Sequence, residues 1–201
     1  MALGDGESKY DLMYLLLDSA DIMNSIDELK GELCLYHFDE HDYSSTSWIQ
    51  RIEYLVNPFG IFEYARSLKN EGSFFYRNND IKLASAHYFQ AIKFLFFADV
   101  TNEEEKSVFL SLALSINLNL AACFIKEKDF QKVGELCSLV LMYDATNAKA
   151  YFRRAVAALE LSQPDIALVD LIQALKLHPN NGEFQQIMEN FNKNLMKYRH
   201  C

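Results

Sequence analysis

Small and bulky apolar residues recur along this chain in a register of 34 residues, and that register constrains the fold more than any other feature. Within residues 148–181, Ala155, Ala167, Leu171, Ala174 and Pro179 stand at positions 8, 20, 24, 27 and 32 of a helix-turn-helix unit. One register earlier, 114–147, the same template holds Ala121, Phe124, Val133, Cys137 and Val140 at positions 8, 11, 20, 24 and 27. A third copy, 65–98, places Leu68, Gly72, Phe75, Ala84, Tyr88 and Ala91 at positions 4, 8, 11, 20, 24 and 27. Small residues at three of these places let two antiparallel helices approach closely, while bulky residues at the others fill the gaps between them. Helical spacing alone would mark only a core; the shared register points to stacked units, and three suffice to bury a continuous one.

Composition agrees with helices. Only 3 Pro and 7 Gly in 201 residues leave too few breakers for a β-sandwich or barrel. Half the residues are hydrophobic and 23% charged, which excludes disorder and permits a real core. The net charge of −9 is unevenly placed: residues 1–60 carry 12 acids and 3 bases, and residues 61–201 carry 16 of each. Neither part offers the basic face a nucleic-acid binder needs for phosphate neutralisation. Uninterrupted apolar stretches such as Tyr14–Leu17 and Phe94–Ala98 are far shorter than a membrane span, so none is expected. Met1 to Glu7 has neither the basic nor the apolar region of a secretory signal, and the expected compartment is the cytosol. Cys34, Cys123, Cys137 and Cys201 form no C-x-x-C pair and are expected to be reduced, structural thiols.

The 34-residue units resemble the tetratricopeptide repeat (TPR) family over 65–181, which implies an all-α helical solenoid of three repeats. Turn chemistry is in step with it. Asn57-Pro58 caps and starts a long first helix, Asn78-Asn79-Asp80 opens its partner, and Thr101-x-x-Glu104 forms a capping box. Residues 99–113 carry no breaker after that box and are expected to lengthen the first helix of the second repeat. Lys128-Asp129, Ala145-Thr146-Asn147, Ser162-Gln163-Pro164 and the run from His178 to Gly182 supply the remaining turns. A capping helix over 183–199 carries Phe184, Ile187, Phe191 and Leu195 on one stripe, completing a TPR domain over 57–199. Residues 1–56 form an acidic, helical N-terminal segment, with one helix opened by Ser8-x-x-Asp11 and a short one around Trp48. It is either an atypical further repeat or an appendage.

In TPR arrays the inner helices line a groove, and repeat positions 2, 5, 6 and 9 present side chains to it. Here those places hold Lys69 and Ser73 in the first repeat, Asn119 in the second, and Lys149 with Arg153 in the third. Lys69 with Ser73, and Lys149 with Arg153, are four residues apart and share a helix face. The set resembles the dicarboxylate clamp of co-chaperone TPR domains. That resemblance implies a peptide-binding site for the C-terminal Glu-Glu-Val-Asp of the ninety- or seventy-kilodalton heat-shock chaperone. Such a peptide ends in two carboxylates; Arg can meet one bidentately, Lys acts as a movable charge, and Asn donates an orienting hydrogen bond. Ser73 departs from the commonest clamp residue, Asn, because a hydroxyl has one donor and less reach.

The runs Asn119–Cys123 and Tyr151–Arg154, with the insertion after the first repeat, are similar to the TPR domains of FK506-binding immunophilins and the aryl-hydrocarbon-receptor-interacting protein. Those carry a prolyl-isomerase-like domain in front of the repeats. The roughly 60 residues here are too few for one and lack a glycine-rich strand pattern, so no isomerase activity is expected. The chain is then a fragment of a longer protein or an isomerase-free relative. His37, Asp39, Glu40, His41 and Asp42 read as a solvated acidic loop, since their spacing is not that of a metalloprotease helix. No phosphate loop, dinucleotide fingerprint or nucleophile elbow appears, so no catalytic residue, metal or cofactor is expected. The expected function is that of an interaction module. The alternative is a TPR scaffold that binds a different peptide or its own acidic N-terminal segment.

Overall fold

A computed structural model describes residues 58–96 and 98–198. The segment 1–56, with its expected helices and its His/Asp/Glu loop, lies outside the described residues, as do Asn57, Cys34, Arg199 and Cys201. Seven helices are present among the described residues: α1 Pro58–Arg77, α2 Ile81–Phe96, α3 Glu103–Glu127, α4 Phe130–Tyr143, α5 Ala148–Glu160, α6 Pro164–Leu177 and α7 Gly182–Tyr198. They divide into two compact units, one ending at Ile116 and the other beginning at Asn117, within α3.

In the first unit α1 begins at Pro58, where the missing N–H of proline costs no hydrogen bond. It buries Ile61, Phe62, Ala65, Leu68 and Gly72 at helical spacing. Gly72 is needed for the approach of α2. A Cβ built there would lie 2.7 Å from Tyr88 Cε1 and 3.1 Å from the Ala84 carbonyl oxygen. Tyr88 and Ala84 are themselves buried, at positions 24 and 20 of the repeat template. Of the other template residues of this copy, Leu68 and Ala91 are buried too, while Phe75 is half-exposed and packs its ring against His87 at 4.9 Å.

The turns recur with the same backbone at the same place. Asn79, Lys128 and Ser162 have φ of 62°, 62° and 58°, and each stands at position 15 of its copy. Each closes a Schellman motif. The Asn79 N–H donates to Tyr76 O and the Asp80 N–H to Phe75 O; Lys128 and Asp129 donate to Ile125 O and Phe124 O; Ser162 and Gln163 donate to Leu159 O and Ala158 O. The left-handed conformation is tolerated by Asn but costs Lys and Ser about 1 kcal/mol or more. In the second unit the returning turns also match across 34 residues. Asp144 N–H to Val140 O and Asn147 N–H to Asp144 O correspond to His178 N–H to Ala174 O and Asn181 N–H to His178 O. Asn147 and Asn181 then cap α5 and α7, accepting from Ala150 N–H at 3.1 Å and Phe184 N–H at 3.2 Å.

The start of α3 differs from expectation by one residue. The cap is Asn102, whose Oδ1 accepts from Glu105 N–H at 2.9 Å, and the reciprocal carboxylate is Glu105 rather than Glu104. Glu105 Oε2 accepts from the Thr101 N–H at 2.8 Å and from the Thr101 hydroxyl at 3.1 Å. The Thr101 backbone bond holds its carboxyl below the usual range. Asn caps at least as well as Thr, so the helix starts at the later of two competent residues. The insertion lengthens α3 to 25 residues as expected.

By length and composition alone α3 could cross a bilayer, which the count of uninterrupted apolar runs did not reveal because Ser111, Ser115, Asn117 and Asn119 break the runs without adding charge. Leu112, Ala113, Ile116, Leu118, Leu120, Ala121 and Phe124 are nonetheless buried, as a core helix requires. In the second unit α7 packs Phe184 and Phe191 onto α5 and α6, with Phe184 stacked on Phe152 at 4.5 Å. Behind that stack, Arg154 of α5 binds Asp170 of α6 through two parallel bonds, Nε to Oδ2 at 2.7 Å and Nη2 to Oδ1 at 2.8 Å. Its third donor reaches Ser138 Oγ of α4 at 3.1 Å, so one guanidinium ties three helices. Asp170 is buried, and its bonds raise the pKa of Arg154 further above the usual value.

Three stability outcomes follow from this packing. Gly72→Ala should destabilise the chain by about 1–2 kcal/mol, because forcing apart α1 and α2 outweighs the gain in helix propensity. Asp170→Ala should cost about 3 kcal/mol or more, since it strands a charged guanidinium beside three helices. Lys128→Gly should raise stability by about 1 kcal/mol by relieving its left-handed backbone. Urea denaturation midpoints on the three variants and the parent chain measure all of them.

Candidate peptide-binding site

Lys69 and Ser73 belong to the first unit, one helical turn apart on α1. Both are half-buried. The Ser73 hydroxyl donates to the Lys69 carbonyl oxygen at 2.9 Å, and Ser73 Oγ lies 3.1 Å from the hydroxyl of Tyr88 on α2. The Lys69 ammonium has no hydrogen-bond or ion-pair partner among the described residues. Ser73 is therefore fully engaged within the protein while its neighbouring cation is available.

Asn119, Lys149 and Arg153 belong to the second unit. Asn119 is half-buried on α3, and its side-chain amide has no partner among the described residues. Lys149 is exposed in the first turn of α5 and likewise has none. Arg153, one turn further along α5, donates from Nη1 to the carbonyl oxygen of Leu118, the residue next to Asn119. That single bond brings the guanidinium to the Asn119 stretch of α3 and leaves its other N–H groups for a further acceptor. The adjacent Arg154 differs altogether, being committed to Asp170 and Ser138. Sequence reasoning did not foresee that buried ion pair. Its two residues lie 16 apart on different helices, and each reads in isolation as a solvated surface charge. The one available signal was an Asp, at position 170, inside an otherwise apolar stretch of α6.

No group of His, Cys, Asp and Glu able to hold a metal ion occurs among the described residues. Cys123 on α3 and Cys137 on α4 are free and fully buried. Burial pushes both thiols up to about 12, against a smaller opposing effect of Arg153. They are protonated small hydrophobes rather than nucleophiles. The two sets of residues offer ammonium, guanidinium, amide and hydroxyl groups able to donate hydrogen bonds to oxygen acceptors.

No protein-family model matches the chain. Peptidyl-prolyl cis-trans isomerase FKBP4 of Homo sapiens is 30% identical over 154 residues, which cover 77% of this chain and 32% of that protein. The chain thus spans about a third of the length of the curated relatives it matches. Among solved structures, the C-terminal TPR-containing domain of a Plasmodium falciparum FK506-binding protein is 28% identical with a TM-score of 0.65. That match covers 72% of this chain and 97% of the domain. The myosin chaperone UNC-45 from C. elegans, solved in complex with a Hsp90 peptide, is 26% identical with a TM-score of 0.55, over 65% of this chain and 13% of that one. Read with the seven helices, their recurrent turns and the buried 34-residue register, these likenesses identify the described residues as a TPR domain similar to the C-terminal TPR region of FKBP4-type immunophilins and to the TPR domains of Hsp90 co-chaperones.

Proposed function

We propose that the chain is a co-chaperone interaction module that binds the acidic C-terminal Glu-Glu-Val-Asp peptide of the ninety- or seventy-kilodalton heat-shock chaperone in the cytoplasm, and that it is not an enzyme. Lys69, Ser73, Asn119, Lys149 and Arg153 are its peptide-binding residues, acting as a dicarboxylate clamp. They belong to one TPR domain over 57–199, with repeats 65–98, 114–147 and 148–181 and a capping helix over 183–199.

The observation that carries this reading is the contrast between polar groups the fold consumes and those it leaves available. Arg154 is spent on a buried ion pair, whereas Lys69, Asn119 and Lys149 have no internal partner among the described residues. Arg153 is held by one bond with donors to spare. A cation or amide without a partner among the described residues is suited to a ligand that supplies oxygens. The Hsp90 peptide in the UNC-45 structure supports the choice of ligand class.

Titration with a free Glu-Glu-Val-Asp peptide and its C-terminally amidated form is the primary test, because a clamp needs the terminal carboxylate. The free acid should bind at least tenfold more tightly. Lys149→Ala should weaken that binding by about 2 kcal/mol or more while leaving the thermal midpoint unchanged, since Lys149 is exposed and its ammonium has no partner among the described residues. Equal affinity of the two peptides for the parent chain, or of the free acid for parent and variant, would overturn the clamp and leave a scaffold for some other peptide.

A further inference from the structure

The first half of the clamp contains a hydroxyl whose only hydrogen is already in use. Ser73 Oγ donates to the Lys69 carbonyl oxygen at 2.9 Å, so the 3.1 Å contact with Tyr88 is a bond in which the tyrosine hydroxyl donates and Ser73 accepts. Tyr88 cannot easily swing away. It is only 2% exposed, and its ring lies against Gly72 so tightly that a Cβ there would come within 2.7 Å of Cε1. The phenol is thus a fixed donor aimed from α2 at an adjustable hydroxyl on α1.

We propose that Tyr88 is a positioning residue for peptide binding: its hydroxyl holds Ser73 Oγ in place, so that the serine can turn its hydrogen from the Lys69 carbonyl to a peptide carboxylate. This rests on the clamp reading. The exchange is easy on the protein side. The Lys69 carbonyl lies inside α1 and keeps the helical bond from the Ser73 N–H when the hydroxyl leaves. The hydroxyl, in turn, trades a neutral acceptor for a charged one, which makes the stronger bond. With the tyrosine donor in place, one lone pair of Oγ stays satisfied in both states, and the oxygen keeps its position while only its hydrogen moves. Without it, Ser73 is free to leave the rotamer from which it reaches the ligand. A serine at this position therefore works through a partner on the neighbouring helix, which an Asn with two donors of its own would not require.

The test is a double-mutant cycle on the full chain, with Tyr88→Phe, Ser73→Ala and both together, titrated calorimetrically with the free-acid and amidated Glu-Glu-Val-Asp peptides. Tyr88→Phe keeps the ring against Gly72 and removes only the hydroxyl. It should weaken free-acid binding about three- to tenfold, as should Ser73→Ala, and the double variant should bind no more weakly than Ser73→Ala alone. Ser73→Thr, which keeps the hydroxyl, should bind like the parent and remain sensitive to Tyr88→Phe. If the losses from Tyr88→Phe and Ser73→Ala multiply, or Tyr88→Phe binds like the parent, the positioning role is wrong although the clamp stands. If Tyr88→Phe does not fold, equal free-acid affinity of the Ser73→Ala and Ser73→Thr chains overturns the role of the hydroxyl by itself. A parent chain that does not distinguish the two peptides overturns both readings together.

Discussion

Close approach of two helices along a seam of small residues is the contact on which the rest of this molecule depends. At Gly72 the space between α1 and α2 is too small for a methyl group, and Tyr88 fills what remains. The same template residues in the second unit, Ala155, Ala167 and Ala174, are fully buried between α5 and α6. Such seams tolerate little change in volume in either direction, because interiors pack near crystal density. They also set the phase of each helix. Once Gly72 faces Tyr88, the positions one residue and one turn away are committed, and Ser73 is brought to the tyrosine hydroxyl without any separate device.

The 34-residue register was legible because it is written in side-chain size, and size decides how near two backbones can come. The turns were legible for a related reason, since Asn78-Asn79-Asp80, Asn147 and Asn181 carry side chains that satisfy helix ends. What escaped reading depended on choices between near-equal competitors or on pairs distant in sequence. Thr101 and Asn102 are both competent caps, and only the reach of Glu105 over Glu104 back to Thr101 separates them. The bonds from Arg154 to Asp170 and Ser138 join three helices, and no local pattern announces that the second of two adjacent arginines is turned inward. Ser73 was legible as a candidate but not as an engaged one, because its partners are a backbone oxygen and a residue 15 positions away.

Arg153 and Arg154 show how differently the two residues of one dipeptide can be engaged. Adjacent residues on a helix point about 100° apart. One guanidinium therefore meets α4 and α6 and makes three bonds there, while the other meets a helical carbonyl of α3 that already has its own partner. Exchanging the roles would require rotating α5 against its alanine seam. The division of labour is thus enforced by packing, and the chemical identity of the two residues does not reveal it.

The buried thiols carry a consequence for how the second unit can be watched. Cys123 and Cys137 sit on α3 and α4 with no exposed surface and with their ionisation displaced far above neutrality. An alkylating reagent is attacked only by a thiolate that it can reach, and both conditions fail while these helices stay packed. Alkylation at either sulfur is then gated by excursions of the helices, in the way amide exchange is gated by local opening. The pair supplies two native clocks on adjacent helices. Equal labelling rates would mean that α3 and α4 open as one body, and unequal rates would show which of them leaves first.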